Sequence, residues 1–222
     1  YTLSYNNFKN IFNHPELYIS GDEKKHAPTP EQQKRFLSYH LGKMSERGLG
    51  CEINYNDAIS YYKNCLDDNA YALANIYLGK KTTPLTPELY AKSLELLKSA
   101  SSKNPYAAYE YAKHLERPIF PYRSTQNDIH IFYRTALDGF LSEKNNDTNL
   151  DGSILYKIGK LYYEGKGCER DVELAYKYFM KSAECKNKNA YYALGKTCSD
   201  KTSPHYDPVR AEQYYIKAYN EY

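Results

Sequence analysis

Residues 158–181, IGKLYYEGKGCERDVELAYKYFMK, decide the fold because the chain contains a second copy of them. Moved back by 117 positions, this stretch aligns without a gap on residues 41–64, LGKMSERGLGCEINYNDAISYYKN. Eight positions are identical, and they are Gly42/Gly159, Lys43/Lys160, Gly48/Gly165, Gly50/Gly167, Cys51/Cys168, Glu52/Glu169, Ala58/Ala175 and Tyr61/Tyr178. Each copy predicts a first helix (helix A), a Gly-x-Gly turn, a capping residue and a second helix (helix B).

Weaker copies of the same unit lie between the two strong ones and after them. Helix A is marked by a small residue among apolar ones, and the five small residues are Gly42, Ala74, Ala112, Gly159 and Gly195. Helix B is marked by a cap and later aromatics. The caps are Asn54, Asp171 and Asp207, with Thr125 in a degenerate copy. A fourth copy, 87–101, has a register uncertain by one residue, so the chain is an array of helix pairs with connectors of variable length.

The segments outside this pattern predict connectors and a lead-in. Prolines and polar residues at 116–125 and 142–152 predict surface loops. Residues 1–30 lie outside the repeat, and Pro15, Pro28 and Pro30 favour a capping helix followed by an extended connector.

The repeated pattern resembles the Sel1-like repeat, a relative of the tetratricopeptide repeat, with LG-x-LY, G-x-G, D-x3-A and Y-x-x-K-x-A. The resemblance implies an all-α fold, an α/α superhelical solenoid of about five helix-turn-helix repeats over 31–222. The units are about 31–68, 69–102, 105–142, 153–187 and 188–222. It also implies a non-catalytic scaffold for protein–protein contacts. One secreted branch of the family carries a disulfide in each repeat, and alanines (Ala183 and Ala190) stand here where that pair is expected.

Composition narrows the class of protein. The mean hydropathy of -0.80 and the lack of an apolar run near 18 residues argue against a membrane span. The net charge is +3 with dispersed basic residues, so nucleic acid is an unlikely partner. The five cysteines form no C-x-x-C pair, which favours a reducing, cytoplasmic compartment. Because the chain begins at Tyr1, we expect a fragment of a longer protein.

Several motifs suggest chemistry but fit the repeat better. Gly165-Lys166-Gly167 resembles a phosphate loop, but its twin at 48–50 has leucine in place of the lysine, so a turn is predicted. Gly195-Lys196-Thr197 lies inside helix A and lacks the first glycine of a nucleotide loop. Cys51 and Cys168 follow the turns, where a half-buried apolar role is favoured over a reactive thiol. The six histidines are scattered, so we expect no catalytic residue, no cofactor and no metal site.

A helical wheel separates the core face of helix A from a second face. Three residues before the small residue stands a tyrosine in every unit, and one residue after it a lysine in four of five. These positions share the face opposite the core, where tyrosine and lysine four apart are neighbours. The predicted contact residues are Tyr39, Lys43, Tyr71, Asn75, Tyr109, Lys113, Tyr156, Lys160, Tyr192 and Lys196.

Helix A lines the concave surface of such arrays, so these residues predict a groove that binds an extended, acidic protein segment. The competing interpretation is that the tyrosines pack between neighbouring A helices while the lysines solvate the rim. Two other functions stay open. One is a regulatory or targeting domain of a larger enzyme such as a kinase or relaxase. The other, less favoured, is a single-stranded RNA-binding helical repeat. We expect the domain itself to be monomeric.

Overall fold

The computed structural model describes residues 2–15, 28–79, 84–146 and 151–220, and every regular element in these ranges is helical. The helices are α1 (Thr2–Asn13), α2 (Pro30–Arg47), α3 (Tyr55–Lys63), α4 (Leu66–Leu78), α5 (Pro87–Ala100), α6 (Pro105–Glu116), α7 (Gln126–Asn146), α8 (Gly152–Glu164), α9 (Val172–Glu184), α10 (Lys188–Ser199) and α11 (Pro208–Asn220). None of the described helices combines the length and apolar character needed to cross a bilayer.

The chain divides into two compact units, residues 1–100 and 101–222. In the first unit α2 packs on α3 and α4 on α5, α3 also contacts α4, and α1 packs on α2. In the second unit the pairs are α6 with α7, α8 with α9 and α10 with α11. There α7 also contacts α8, and α9 contacts α10. Each unit is thus a series of helix pairs, which confirms the predicted all-α architecture of the α/α solenoid class.

The predicted caps of helix B accept hydrogen bonds from free backbone N–H groups. The side chain of Asn54 accepts from the Asp57 N–H at 3.0 Å. Asp171 and Asp207 do the same for the third residue after them, at 2.8 and 3.0 Å. The degenerate cap Thr125 forms a reciprocal pair, because its hydroxyl accepts from the Asp128 N–H and that carboxylate accepts from the Thr125 N–H. Such a cap stabilises a helix by about 1 kcal/mol, so these short side chains fix where these four B helices begin.

The Gly-x-Gly motif is a helix-terminating turn, as predicted. Gly48 and Gly50 have φ of 70° and 80°, and Gly165 and Gly167 have φ of 65° and 73°. Only glycine adopts this left-handed region without steric cost.

The small residue of helix A is required by an aromatic ring on helix B. A Cβ added at Gly42 would lie 2.4 Å from the ring of Tyr62, and one at Gly159 would lie 2.8 Å from the ring of Phe179. The same holds for Gly195, at 2.7 Å from Tyr215. These rings all stand eight residues after the cap of helix B, so one close contact joins the two helices of each of these three pairs.

The loop predictions need one correction. Residues 117–125 form a connector without a helix, but the helix before the second predicted loop continues to Asn146. Its last residues, SEKNN, contain neither glycine nor proline, so nothing in the backbone stops the helix at 142. Residues 147–150 lie outside the described part of the chain. The N-terminal helix exists as α1, whereas residues 16–27 of the predicted connector also lie outside it.

Candidate interaction surface

The five tyrosines predicted to line a groove do not share one environment. Tyr192 is 59% exposed and Tyr39 is 37% exposed, whereas Tyr71 and Tyr156 are half-buried. Tyr109 is only 5% exposed, because its ring is part of the core between α6, α7 and α8. A uniform row of open tyrosines is therefore absent from the described residues, and Tyr109 cannot offer its ring face to a partner.

The rings of four of these tyrosines contact helix B of their own pair. The partner is in each case the aromatic residue eight positions after the cap. The centroid distances are 6.5 Å for Tyr39–Tyr62, 5.8 Å for Tyr109–Tyr133, 5.9 Å for Tyr156–Phe179 and 5.6 Å for Tyr192–Tyr215. The tyrosine thus helps to hold the helix pair together, and only its remaining surface is open for binding.

Three of the four lysines that stand one residue after the small residue lie beside aromatic rings, but not always the expected ones. The Lys43 ammonium lies 5.5 Å from the ring centroid of Tyr39, and that of Lys113 lies 5.7 Å from Tyr109. Lys196 instead lies 5.3 Å from the ring of Tyr163, on the preceding helix A. Lys160 lies 3.9 Å from the Glu164 carboxylate on its own helix. A helical wheel shows which face a residue occupies but not which neighbouring helix it reaches.

Lys157 is a cation on this surface that the sequence pattern missed. Its ammonium lies 4.4 Å from the ring centroid of Tyr109 and 5.6 Å from that of Tyr106, both on α6. Burial lowers the pKa of Lys157, with the nearby Glu110 carboxylate opposing that effect. Lys157 stands two residues before the small residue Gly159, a position that is not lysine in the other units, so the repeat carried no signal for it.

A cleft of about 220 Å³ opens on the same side of the second unit, between α6, α7, α8 and the 165–167 turn. Among its lining residues is Lys166, the middle residue of the turn, which donates to Glu116 at 2.8 Å and pairs with Glu164 at 2.9 Å. The hydroxyl of Tyr133 also donates to Glu116, at 2.9 Å. The lysine that suggested a phosphate loop is therefore engaged by two carboxylates.

The charges of this cluster stabilise one another. Burial alone would raise the pKa of Glu116, but the hydrogen bonds from Lys166 and Tyr133 outweigh burial and lower it. Burial acts against the Lys166 ammonium too, and its bonds to Glu116 and Glu164 outweigh it, so its pKa is raised. Burial lowers the pKa of His114 in the same cleft, which favours the neutral form of that ring. The other cations that line the cleft are Lys113, Arg117 and Lys160, so its lining carries four cations against the two carboxylates of Glu116 and Glu164. Lys113 also pairs with Glu110 on its own helix, at 2.7 Å.

The other motifs occupy structural positions. The Cys168 thiol donates to the Leu161 carbonyl at 3.7 Å, and the equivalent Cys51 thiol donates to the Met44 carbonyl at 3.6 Å. Burial raises the pKa of Cys168, which is the opposite of thiol activation. Thr197 is buried inside α10 and donates to the Ala193 carbonyl at 2.9 Å, as a helical residue does. Within the described ranges, no three acidic, histidine or cysteine side chains form a metal-ligating group.

Comparison with known proteins agrees with this architecture. A model of the Sel1 repeat matches residues 38–64, 155–187 and 189–221. The chain contains Sel1 repeats. Sel1 repeats are in general protein-interaction modules and are typically non-catalytic, so a protein partner is expected.

Two solved structures have a fold similar to that of this chain. The first is the Sel1 repeat protein from Oxalobacter formigenes, with a TM-score of 0.59 and 17% identity, over 99% of this chain and 84% of that one. The second is c5321, a protective antigen present in uropathogenic Escherichia coli strains and displaying an SLR fold. Its TM-score is 0.52 and its identity 16%, over 98% of this chain and 53% of that one. No curated protein matches this chain in sequence.

Proposed function

We propose that this chain is a non-catalytic scaffold that binds an extended acidic segment of a partner protein through the tyrosines and lysines of its A helices. The main support is that lysine follows the small residue on all three A helices of the second unit, as Lys113, Lys160 and Lys196. These side chains are exposed or half-exposed, and Lys157 adds a fourth cation between α6 and α8. Carboxylates are the protein groups that such a surface attracts.

The aromatic part of the proposed surface is concentrated at α10 in this unit. Tyr192 is the most exposed of the five tyrosines, and it stands one helical turn before Lys196. A tyrosine there offers apolar area and a hydroxyl at low entropic cost. Tyr109, being buried, contributes to the proposed site only by supporting Lys113 and Lys157. In the first unit Tyr39 and Lys43 form the corresponding pair.

A binding assay with a defined acidic probe tests this proposal. The probe is a fluorescein-labelled peptide of alternating glutamate and leucine, and the control peptide has lysine in place of glutamate. We expect the acidic peptide alone to bind, with an affinity that falls as salt rises, because exposed charges are screened. Reversing the charge with Lys196→Glu or Lys160→Glu should weaken binding by about fivefold to tenfold each.

A matched control separates this surface from general charge effects. Lys181 is an exposed lysine on α9, a B helix, so Lys181→Glu changes the net charge equally on a different helix class. Tyr192→Ala is preferred to Tyr156→Ala, because the half-buried Tyr156 also supports the fold. Equal weakening by Lys181→Glu would refute a specific surface. Displacement of the peptide by single-stranded RNA at physiological salt would favour the nucleic-acid alternative.

A further inference from the structure

Five cations gather at the cleft between α6 and α8. Four of them line the cleft. The fifth, Lys157, shares the ring of Tyr109 with Lys113, because the two ammonium groups lie 4.4 and 5.7 Å from its centroid. The five residues, called the cation cluster below, are Lys113, Arg117, Lys157, Lys160 and Lys166.

Like charges crowd one another in the cation cluster. Burial lowers the pKa of the Lys157 ammonium most strongly, and the Glu110 carboxylate opposes this. The like charges of Lys113 and Lys160 lower it further. A half-buried ammonium beside two other cations is unfavourable, and a bound anion would relieve this repulsion.

Three carboxylates pair with the cation cluster among the described residues. Glu116 and Glu164 share Lys166, at 2.8 and 2.9 Å. Glu110 pairs with Lys113 at 2.7 Å. Five cations therefore meet three carboxylates, which leaves two positive charges in excess. A phosphate monoester carries about −1.5 to −2 near pH 7, so one phosphate group matches this excess, whereas one carboxylate supplies half of it.

The size of the cleft favours a single head group as its ligand. Pockets for drug-sized molecules have volumes of about 300–1,000 Å³, whereas this cleft has about 220 Å³. A phosphate group presents three strong acceptor oxygens and a carboxylate presents two. The guanidinium of Arg117, which lines the cleft, is of the kind that binds two phosphate oxygens at once.

We propose that the cation cluster binds a phosphorylated serine or threonine within the acidic segment of the partner protein. This proposal rests on the proposed function, since the cluster lies on the same A-helix surface, and it names the residue that this surface prefers. A free phosphate compound carries the same group. The protein segment is the better ligand, because Tyr192 and Lys196 on α10 extend the surface beyond the reach of a lone phosphate.

Three fluorescein-labelled peptides test the proposal. Each alternates glutamate and leucine and has serine, phosphoserine or glutamate at its centre. We expect the phosphoserine peptide to bind at least about tenfold tighter than the other two. A phosphoserine peptide that binds no tighter than the glutamate peptide would overturn the inference and leave the proposed function standing. Failure of all three peptides to bind would overturn both.

Variants of the chain locate the preference for phosphoserine. Lys157→Gln and Arg117→Gln each remove one cation of the cluster, so either should reduce the tenfold preference to about threefold or less. Arg117 is exposed at the end of α6, so Arg117→Gln gives a result even if Lys157→Gln unfolds the chain, which circular dichroism checks.

Lys196→Gln is the matched control, because Lys196 is an A-helix lysine outside the cation cluster. It should weaken all three peptides by a similar factor and keep the preference. An equal loss of preference in Lys196→Gln would refute the assignment to the cluster.

Inorganic phosphate distinguishes the two sources of the phosphate group. We expect it to displace the labelled phosphoserine peptide only at concentrations at least about 100-fold above the Kd of that peptide, because it lacks the contacts of the segment. Binding of inorganic phosphate as tight as that of the peptide would make a free phosphate compound the ligand and overturn the proposal.

Discussion

The two Gly-x-Gly turns, 48–50 and 165–167, share a backbone but differ in what their middle residue contacts. In both, the middle residue donates its N–H at 3.0 Å to the carbonyl five residues earlier, Met44 or Leu161. In both, the cap of helix B donates its N–H to the carbonyl nine residues earlier, so Asn54 bonds to Ser45 and Asp171 to Tyr162. The middle residues, however, are Leu49 and Lys166.

The difference follows from the helices that lie against each turn. Leu49 packs against the apolar cluster of α1 and α2, which includes Tyr5, Leu37 and Leu41. Lys166 instead meets Glu116 at the end of α6, and its ammonium lies 5.2 Å from the ring centroid of Tyr133 on α7. The turn that lies against the lead-in helix α1 thus has a leucine as its middle residue. The turn that lies against the preceding repeat has a lysine that forms an ion pair.

Among the variants that test this comparison, Gly167→Ala should lower the free energy of unfolding most. A Cβ there would lie 2.3 Å from the Arg134 nitrogen and 2.5 Å from the Tyr133 carbonyl carbon, because the turn rests on the backbone of α7. Gly167→Ala should lower the free energy of unfolding by about 4 kcal/mol, from positive φ and overpacking together. Urea unfolding followed by circular dichroism measures it.

Gly165→Ala is the control for that prediction. Gly165 has a similar φ of 65°, but its nearest neighbour would be the Arg170 Cβ at 3.2 Å. We expect a loss of about 1–2 kcal/mol, from backbone strain alone. Equal losses at the two glycines would show that the contact with α7 contributes nothing.

Exchanging the middle residues should give the next largest effect. Leu49→Lys should cost about 2 kcal/mol, because it removes apolar contact and brings an ammonium to an apolar cluster. Lys166→Leu should cost about 1 kcal/mol, because Glu116 and Glu164 lose their shared cation. Thermal unfolding of both variants compares them, with Leu49→Met as a conservative control. A stabilising Lys166→Leu would contradict the ionic role of this turn.

The ion pairs around Lys166 should also make the stability of the protein depend on pH in acid, through Glu116. The pKa of Glu116 is lower in the folded state than in the unfolded chain, so its contribution is present above the unfolded value and is lost as pH falls through the folded value. Below about pH 4.5 the wild type should therefore lose stability more steeply than Glu116→Gln. Urea titrations at several pH values give this slope, and identical slopes would remove the assigned role of Glu116.

The smallest loss of stability should come from replacing the cysteine that follows each turn, and it should be equal for the two turns. Cys51 and Cys168 are both half-buried, and each donates to a carbonyl seven residues earlier. Replacing either by alanine should cost about 1 kcal/mol or less, since a thiol is a weak donor. Chemical unfolding of the two single variants tests this equality. A clearly larger loss at one site would mean that the turns differ in more than their middle residue.

Much of the fold was predictable because it is local. The caps and glycine turns are set by backbone chemistry within a few residues, so the repeat could be found and placed in register from the sequence. The predicted start of the loop at 142 was wrong, because polar composition alone does not stop a helix. The candidate surface was predicted less well. The helical wheel predicted which face of the helix Tyr109 and Lys196 occupy. It did not predict that Tyr109 is buried or that Lys196 contacts Tyr163.

The sequence by itself determined the helix pairs, the register of all but the 87–101 copy and the position of the small residue in helix A. Only the tertiary structure decided which tyrosines are exposed, that Lys157 lies over α6, and that Lys166 serves two carboxylates. The physical reason is how far apart along the chain the interacting residues lie. Caps and turns are satisfied within one segment, whereas exposure and ion pairing depend on residues as far apart as Glu116 and Lys166, which only folding brings together.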